Sequence, residues 1–365
     1  MSTSEVLRHS SARLDVDLDA IISNYLTLSA QSTHADCAAV VKANAYGLGM
    51  DHVAPAIYHN TKCTIFFVAN LVEAVTLRSM LPQAVIYVFN GLFHDQVETY
   101  LTHNIRPILN EISQVDLWKG HTQPCAIHFD TGINRLGFSE FETDQFLNGS
   151  NDLNISLILS HLINSEQADH KSNKEQRDQF TKITDELKDV PASLSNSGGI
   201  YLGDDYHFDL LRPGLMLYGG NPGLANPPKD IKNTATLRAR ILQIRELSPG
   251  MSLGYNSLWT AKRRSRVALL NVGYADGPLK TSDQDAQVFI NGAYAPVIGK
   301  VSMDMIGVDI TDTDFDSVTG SDFAEILGSN ITLEMASKVS TLGHYEFLTG
   351  IGQRYEKKYN LGTKV

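Results

Sequence analysis

Lys42 is the first residue in the chain whose type and setting could do covalent chemistry. It ends a short run, 37–41, small and β-branched enough to be a buried strand, and a turn punctuated by Gly47 and Gly49 follows. Asp51 can cap a helix after that turn. A lysine at the end of a buried strand is costly as a cation unless it is partnered, and a neutral amine there is what a Schiff base requires. A lysine that snorkels toward water fits the same pattern. Other polar residues follow later apolar runs: Asp130 to Arg135, His161, the turn Asn196-Ser197-Gly198-Gly199, and Arg212-Pro213-Gly214. The glycine-rich turn and the amides of Gly214 and Leu215 could approach a phosphate, although an ordinary strand-to-helix turn has the same composition. A buried Arg212 would need an acceptor, which could be Asp209, a backbone carbonyl or a ligand. His161, taken alone, fits a core histidine with a satisfied hydrogen bond. Tyr255, in Gly254-Tyr255-Asn256, fits an exposed loop tyrosine.

Several chemistries find no support. There is no HExxH, CxxC or GxSxG pattern, and Gly299-Lys300 lacks the remaining residues of a phosphate-binding P-loop. No metal site is expected. The net charge of -11 argues against nucleic acid or an anionic membrane as the main partner. Three cysteines, Cys37, Cys63 and Cys125, are too few and too scattered for a disulfide framework and fit a reducing compartment. With a polar segment 1–13 and no apolar run of membrane-spanning length, a cytoplasmic location is expected.

The elements that must position these residues change character along the chain. Apolar runs at 38–42, 65–69, 84–89, 106–109, 125–129, 155–159, 192–195 and 211–218 alternate with helical patterns, clearest at 72–80 and 174–187. Eight buried parallel strands separated by helices are what closes a (β/α)8 TIM-type barrel, whose chemistry sits at the C-terminal strand ends; an open doubly wound sheet fits the pattern alone. The segment 14–28 reads as a short strand and an N-capped helix outside this count. After Pro227 the segments 236–244, 266–272, 286–290 and 305–310, separated by Pro249-Gly250, Asp276-Gly277 and Asn291-Gly292, read as a mostly antiparallel β domain. Domains of 1–228 and 229–365 are expected, the latter ending in a helical stretch and a final strand or loop.

Read in order, the motifs resemble those of bacterial alanine racemases. Lys42-Ala43-Asn44-Ala45-Tyr46-Gly47 is similar to that family's pyridoxal-phosphate lysine motif, and Asp130-Thr131-Gly132-Ile133-Asn134-Arg135-Leu136-Gly137 to its DTGxxRLG segment. Ser160-His161-Leu162, Asn196-Ser197-Gly198 and the segment from Arg212 to Gly219 follow. So do Tyr255, Val272-Gly273-Tyr274-Ala275-Asp276-Gly277 and Gly299-Lys300-Val301-Ser302-Met303-Asp304.

The resemblance implies an enzyme of the fold-type III pyridoxal 5'-phosphate class that interconverts L-alanine and D-alanine, supplying D-alanine for peptidoglycan. It implies a homodimer whose C-terminal domain completes the partner's active site. Lys42 would serve one face of the substrate and Tyr255 of the partner subunit the other, with His161 beside the tyrosine and Arg212 behind the histidine. Arg212 would also meet the cofactor's ring nitrogen. Tyr46, Ser197, Gly214 and Leu215 would hold the phosphate, Arg135 and the Met303 backbone the substrate carboxylate, and Tyr274 with Met303 the narrow entrance. Two positions depart from the pattern. His128 stands where several members carry a carbamylated lysine that braces the arginine, and Gln353 where some carry a tyrosine at the phosphate. Rival readings are an amino-acid decarboxylase, which should place an acid where Arg212 stands, a single-barrel cofactor carrier, which lacks the second domain, and a broad-spectrum racemase.

Overall fold

The computed structural model describes residues 12–149, 152–278, 286–312 and 322–362. They form two units. One runs from Ile21 to Lys232; the other takes the chain up to Ala20 and again from Asn233.

The first unit is built on the apolar runs. Ala39–Val40, Ile65–Val68, Val85–Val88, Arg106–Leu109, Cys125–His128, Ile155–Leu159 and Ala192–Ser193 pair in that order as a seven-stranded parallel sheet. An eighth strand, Leu210–Leu211, closes the ring. It pairs in parallel with Asp36–Cys37, just ahead of the first strand, and the neighbouring Arg212 amide donates to Ser195 O at 2.9 Å. A strand covered on both faces needs an unbroken apolar run rather than an alternating one. Accordingly Phe66, Phe67, Ile86, Ile108, Ile127 and Ile158 are all fully buried, each contributing roughly 1.5–3 kcal/mol on leaving water. The helices start where side-chain caps are available. Leu71–Met80 begins after Asn70, whose Oδ1 accepts from Glu73 N–H at 3.0 Å, and Lys171–Glu186 begins after His170.

Two local expectations change. The run 211–218 is not one strand: Pro213 interrupts it, Gly214 takes φ -129° and ψ -86°, and Leu215–Tyr218 is a 3-10 turn. Helix Met50–Asn60 is entered from Gly49 rather than Asp51, which sits in its first turn; Asn44 Oδ1 accepts the Met50 N–H at 2.9 Å. At the far end of this unit the buried Asn24 clasps the departing chain. Its Oδ1 accepts from Lys232 N–H at 2.7 Å, and its Nδ2 donates to Lys232 O at 2.9 Å and Leu217 O at 3.1 Å.

The second unit is an eight-stranded sheet, among the described residues, in the order Ser265–Leu270, Ile306–Asp309, Ala293–Ile298, Gln287–Ile290, Phe323–Leu327, Ala235–Leu247, Ala12–Asp17, Glu356–Asn360. All pairs are antiparallel except the last. Ala235–Leu247 is long enough to serve twice: its first half pairs with Ala12–Asp17, and past an irregularity between Ile241 and Gln243 its second half pairs with Ser265–Leu270. Asn291 and Gly292 take φ of 46° and 88°, as a tight hairpin turn requires. The leading strand Ala12–Asp17 therefore lies in this sheet, which makes the unit discontinuous in sequence. A cut at 228/229 leaves those residues on the barrel side. The segment is too short to reveal its partners, which are 223 residues away for the pair Asp15 and Arg238.

Candidate active site

The turn that carries Lys42 is left-handed. Ala43, Asn44, Ala45 and Tyr46 have φ of 53°, 54°, 53° and 53°. For residues with a Cβ this hand costs about 1–2 kcal/mol each, so the surroundings must hold it. The turn makes its own backbone bonds, Ala45 N–H to Val41 O and Gly47 N–H to Ala43 O, both 2.9 Å, and Gly47 continues the hand at φ 87°. From outside, Glu73 Oε1 accepts the Ala43 N–H at 2.6 Å, and Tyr46 stacks on Tyr218 with ring centroids 4.8 Å apart. The Tyr218 hydroxyl in turn donates to Val40 O at 2.8 Å, on the strand that leads into the turn.

Lys42 Nζ lies 5.4 Å from the Phe89 ring centroid, at the end of strand Val85–Val88. Burial lowers its pKa, the positive charge of Arg135 lowers it further, Glu73 opposes this, and Arg212 adds to the lowering. Burial and the two arginines thus act against its positive charge.

Arg212 is buried and no carboxylate pairs with it among the described residues. Its Nε donates to Ser193 Oγ at 2.8 Å, and its Nη2 to Ser160 O at 2.5 Å and Leu194 O at 3.3 Å. The guanidinium also sits over Phe67 and Phe89, at 5.9 and 6.0 Å. Burial pulls its pKa down to about 10, so it remains a cation at neutrality. Of the acceptors open to it from sequence, carbonyls are taken and Asp209 is not: Asp209 Oδ2 accepts the Ala192 N–H at 2.8 Å.

Beside Arg212 is a tight cradle of amides and hydroxyls. Ser197 Oγ accepts the Gly214 N–H at 3.0 Å and the Met216 N–H at 3.4 Å. Gly214 cannot carry a side chain, because a Cβ there would stand 2.4 Å from the Tyr46 hydroxyl oxygen. Leu215 is buried at the start of the 3-10 turn. These residues, with Asn196 Oδ1 accepting the Gly199 N–H at 2.9 Å, gather backbone amides and side-chain oxygens into one small lip.

His161 makes no ring hydrogen bond among the described residues; its carbonyl accepts from Gln176 Nε2 at 2.9 Å. Burial and then Arg212, Arg135, His128 and Lys42 hold its pKa well below the usual histidine range. Arg212 thus acts on His161 through its field, and its hydrogen bonds go elsewhere. His128 is more constrained. Asn110 Nδ2 donates to Phe89 O and Ile108 O, both at 3.0 Å, which leaves Asn110 Oδ1 facing His128 Nδ1 at 2.8 Å. His128 therefore carries its proton on Nδ1, and the buried Nε2 is an acceptor with no partner. Burial, with help from Arg212, brings its pKa to about 4. Arg135 is exposed and has no hydrogen bond or ion pair among the described residues. Its loop, however, is pinned: Asp130 Oδ1 accepts the N–H groups of Gly132 and Ile133 at 2.8 and 2.9 Å.

The remaining expected residues belong to the second unit. Tyr255 opens a 3-10 turn, is 67% exposed, and its hydroxyl makes no hydrogen bond among the described residues. Tyr274 and Met303 are also exposed, but their backbones are locked together: Tyr274 N–H donates to Ser302 O at 3.1 Å and Ala275 N–H to Met303 O at 3.0 Å. Gly273 permits this approach, since a Cβ would lie 2.3 Å from Met303 O. Arg354 then joins the loops, donating to Asp276 Oδ1 and Asp304 Oδ1, both at 2.7 Å, while Asp276 Oδ2 accepts the Gly273 N–H at 2.8 Å. Gln353 precedes that arginine and is exposed.

A barrel with a lysine and two arginines at its mouth and a neighbouring cluster of amides and hydroxyls, followed by a separate β unit, defines a two-domain barrel enzyme. The family model for the alanine racemase N-terminal domain matches residues 16–222, and that for the C-terminal domain matches 234–359. An alanine racemase of Rickettsia canadensis is 41% identical over 358 residues, 95% of this chain and 98% of its own. The crystal structure of alanine racemase from Bartonella henselae with covalently bound pyridoxal phosphate superposes with a TM-score of 0.91 at 36% identity, covering 96% of this chain and 100% of that one. The biosynthetic alanine racemase of Pseudomonas aeruginosa superposes at 0.87 with 27% identity, covering 96% of this chain and 100% of that one. The chain belongs to the alanine racemase family, a family of isomerases.

Three contributors to the mouth escape a motif reading. Asn110 ends strand Arg106–Leu109 and could have been found by the same strand-end rule that picked out Lys42 and Arg212. Ser193 carries no signal until its closeness to Arg212 is known. Glu73 does have one, lying three residues after Asn70, but that pattern announces a helix start and says nothing of Lys42.

Proposed function

We propose that this protein racemises alanine with pyridoxal 5'-phosphate, by proton transfer on two faces of the substrate. The observation that carries the reading is the partly buried Lys42 amine at the barrel mouth, whose pKa is lowered by burial and by Arg135 and Arg212, the direction a nucleophile and base requires. The residues present fit the cofactor. Ser197, Gly214, Leu215 and Tyr46 would hold its phosphate: Gly214 lets its backbone and the Tyr46 hydroxyl come together where a Cβ would collide, beside the Ser197 hydroxyl. Arg212, donor-only and with no acidic partner, suits a ring nitrogen that stays unprotonated. Bound there, the cofactor supplies an acceptor for the electron pair left when the α-proton departs. Lys42 then holds or returns a proton on one face. Tyr255 of the partner subunit does so on the other, in a homodimer with shared sites, and its exposure and unpaired hydroxyl suit a group that finds its environment on another copy. Arg135 and the Met303 backbone orient the substrate carboxylate, and Tyr274 with Met303 keeps the entrance narrow. Among the described residues no helix is long and apolar enough to cross a membrane, which suits a cytoplasmic enzyme supplying D-alanine for peptidoglycan.

The test is solvent-deuterium exchange at the α-carbon of L-alanine with chirality read alongside, repeated with serine, lysine and arginine. D-Alanine forming with exchange, and little exchange elsewhere, is the expected result. No exchange in protein that has bound pyridoxal phosphate overturns the reading. In Lys42→Ala the visible absorption of the bound cofactor should vanish and turnover should fall by at least about 10³-fold, within the range of a lost acid–base group.

A further inference from the structure

Glu73 is the third residue of helix Leu71–Met80, and its carboxylate does more than close that helix. In an ordinary capping box the acid at this place reaches back to the amide of the cap residue. Here Oε2 passes the cap and accepts the N–H of Ala69, just beyond strand Ile65–Val68, at 2.8 Å. Oε1 is left for a different strand end, where it accepts the N–H of Ala43 at 2.6 Å. Ala43 directly follows Lys42 and is the first of the four left-handed residues. The leading amides of any helical turn have no acceptor within the turn; the carboxylate supplies one, and as an anion it is the stronger kind. Of the charged groups that act on Lys42, Arg135 and Arg212 are cations and Glu73 is the anion.

We propose that Glu73 is a positioning residue for Lys42: it caps the left-handed turn through Ala43, ties that turn to the neighbouring strand end through Ala69, and sets a negative charge against the two arginines that face the amine. The kinetic consequence rests on the racemase reading above; the structural and electrostatic consequences do not.

The experiment uses full-length wild type, Glu73→Gln and Glu73→Ala. Glu73→Gln keeps the shape and one acceptor oxygen but turns an NH2 toward one of the two amides. Hydrogen–deuterium exchange is followed by peptide mass spectrometry over 40–49, with 171–186 as the control. Exchange over 40–49 should rise about tenfold in both variants, the size of one charge-assisted hydrogen bond, while 171–186 is unchanged. In parallel, after hydroxylamine has released any bound pyridoxal phosphate so that the amine is free, the pH dependence of Lys42 acetylation by acetic anhydride is measured by mass spectrometry. Its midpoint should move to lower pH in Glu73→Gln, because the influence that raised the amine's pKa is gone. Unchanged exchange over 40–49 with an unmoved Lys42 midpoint would overturn the proposal. So would a rise shared equally by 171–186, which would make Glu73 a general folding staple. Absence of alanine α-proton exchange in the wild type would overturn the racemase reading instead, leaving the exchange and labelling results to decide the role of Glu73.

Discussion

The mouth of the barrel and the Tyr255 face of the second unit solve the same problem in opposite ways. At the mouth, side chains are held by side chains. Arg212 is fixed by a serine and two carbonyls, His128 by Asn110, and the Lys42 turn by Glu73 and the Tyr46–Tyr218 stack. On the other face, Tyr255, Tyr274 and Met303 are exposed, and what is fixed is the backbone beneath them, by Asp276, Arg354 and Asp304. A buried guanidinium with no carboxylate partner, such as Arg212, is expensive by itself, so its supports have to be present within the unit before a ligand arrives. An exposed tyrosine costs little alone and needs no such support. The first region is built of buried, mutually braced polar groups; the second presents exposed side chains on a braced backbone.

That contrast can be broken most sharply at Tyr255. Tyr255→Phe should retain the cofactor spectrum and lose about 10²–10⁴-fold in turnover, measured by polarimetry in each direction; full turnover both ways would return Tyr255 to the status of a surface residue. Mixing Lys42→Ala with Tyr255→Phe subunits should restore part of the activity if the two faces complete one another across subunits. No rescue after demonstrated subunit exchange would mean that each site is built from one chain. The next effect is smaller. Asp276→Asn should weaken the latch to Arg354 and cost about 1.5–3 kcal/mol in urea unfolding, the range for a hydrogen bond to a charged group, with KM for alanine rising more than kcat falls. An unchanged midpoint and KM would show that the Tyr274 and Met303 loops are held without it.

The gentlest test concerns pH at the mouth. His128 titrates at about 4 in the folded protein against an ordinary 6.5. Between those values the unfolded chain binds the proton and the folded one does not, so stability falls as pH drops from about 6.5 toward about 4 and levels off below. The whole change is on the order of 3 kcal/mol. Denaturation midpoints across that window should slope less steeply in His128→Gln; an identical slope would place the acid sensitivity elsewhere.

What could be read from the amino acids follows the range of the interactions involved. The barrel strands were legible because burial on both faces leaves a continuous apolar run, and Phe66 to Val68 needs no distant partner to announce it. The β segments after Pro227 announced themselves through turns such as Asn291-Gly292. The polar ends of the strands, Lys42, His161 and Arg212, were legible as positions, and their roles came from the order of the motifs. The strand Ala12–Asp17 was not placed, since its address is written in partners far along the chain. Nor could the hand of the Lys42 turn be foreseen. Asparagine tolerates positive φ, but alanine and tyrosine do not favour it, and Glu73, Tyr218 and Gly47 together help make the run tenable.

The clasp made by Asn24 bears on the order in which the molecule assembles. A sheet that joins Asp15 to Arg238 must close a loop of 223 residues, a search whose entropy is on the order of 5 kcal/mol for a free chain. During synthesis the segment 21–232 emerges whole before the strand Ala235–Leu247 exists. Once Asn24 grips Lys232, the two exits of the barrel are neighbours, and the long loop has in effect shrunk to a few residues at each side. The barrel then acts as a matchmaker for the second unit, holding the segments before Asn24 and after Lys232 close enough for Ala12–Asp17 and Ala235–Leu247 to pair without a long search.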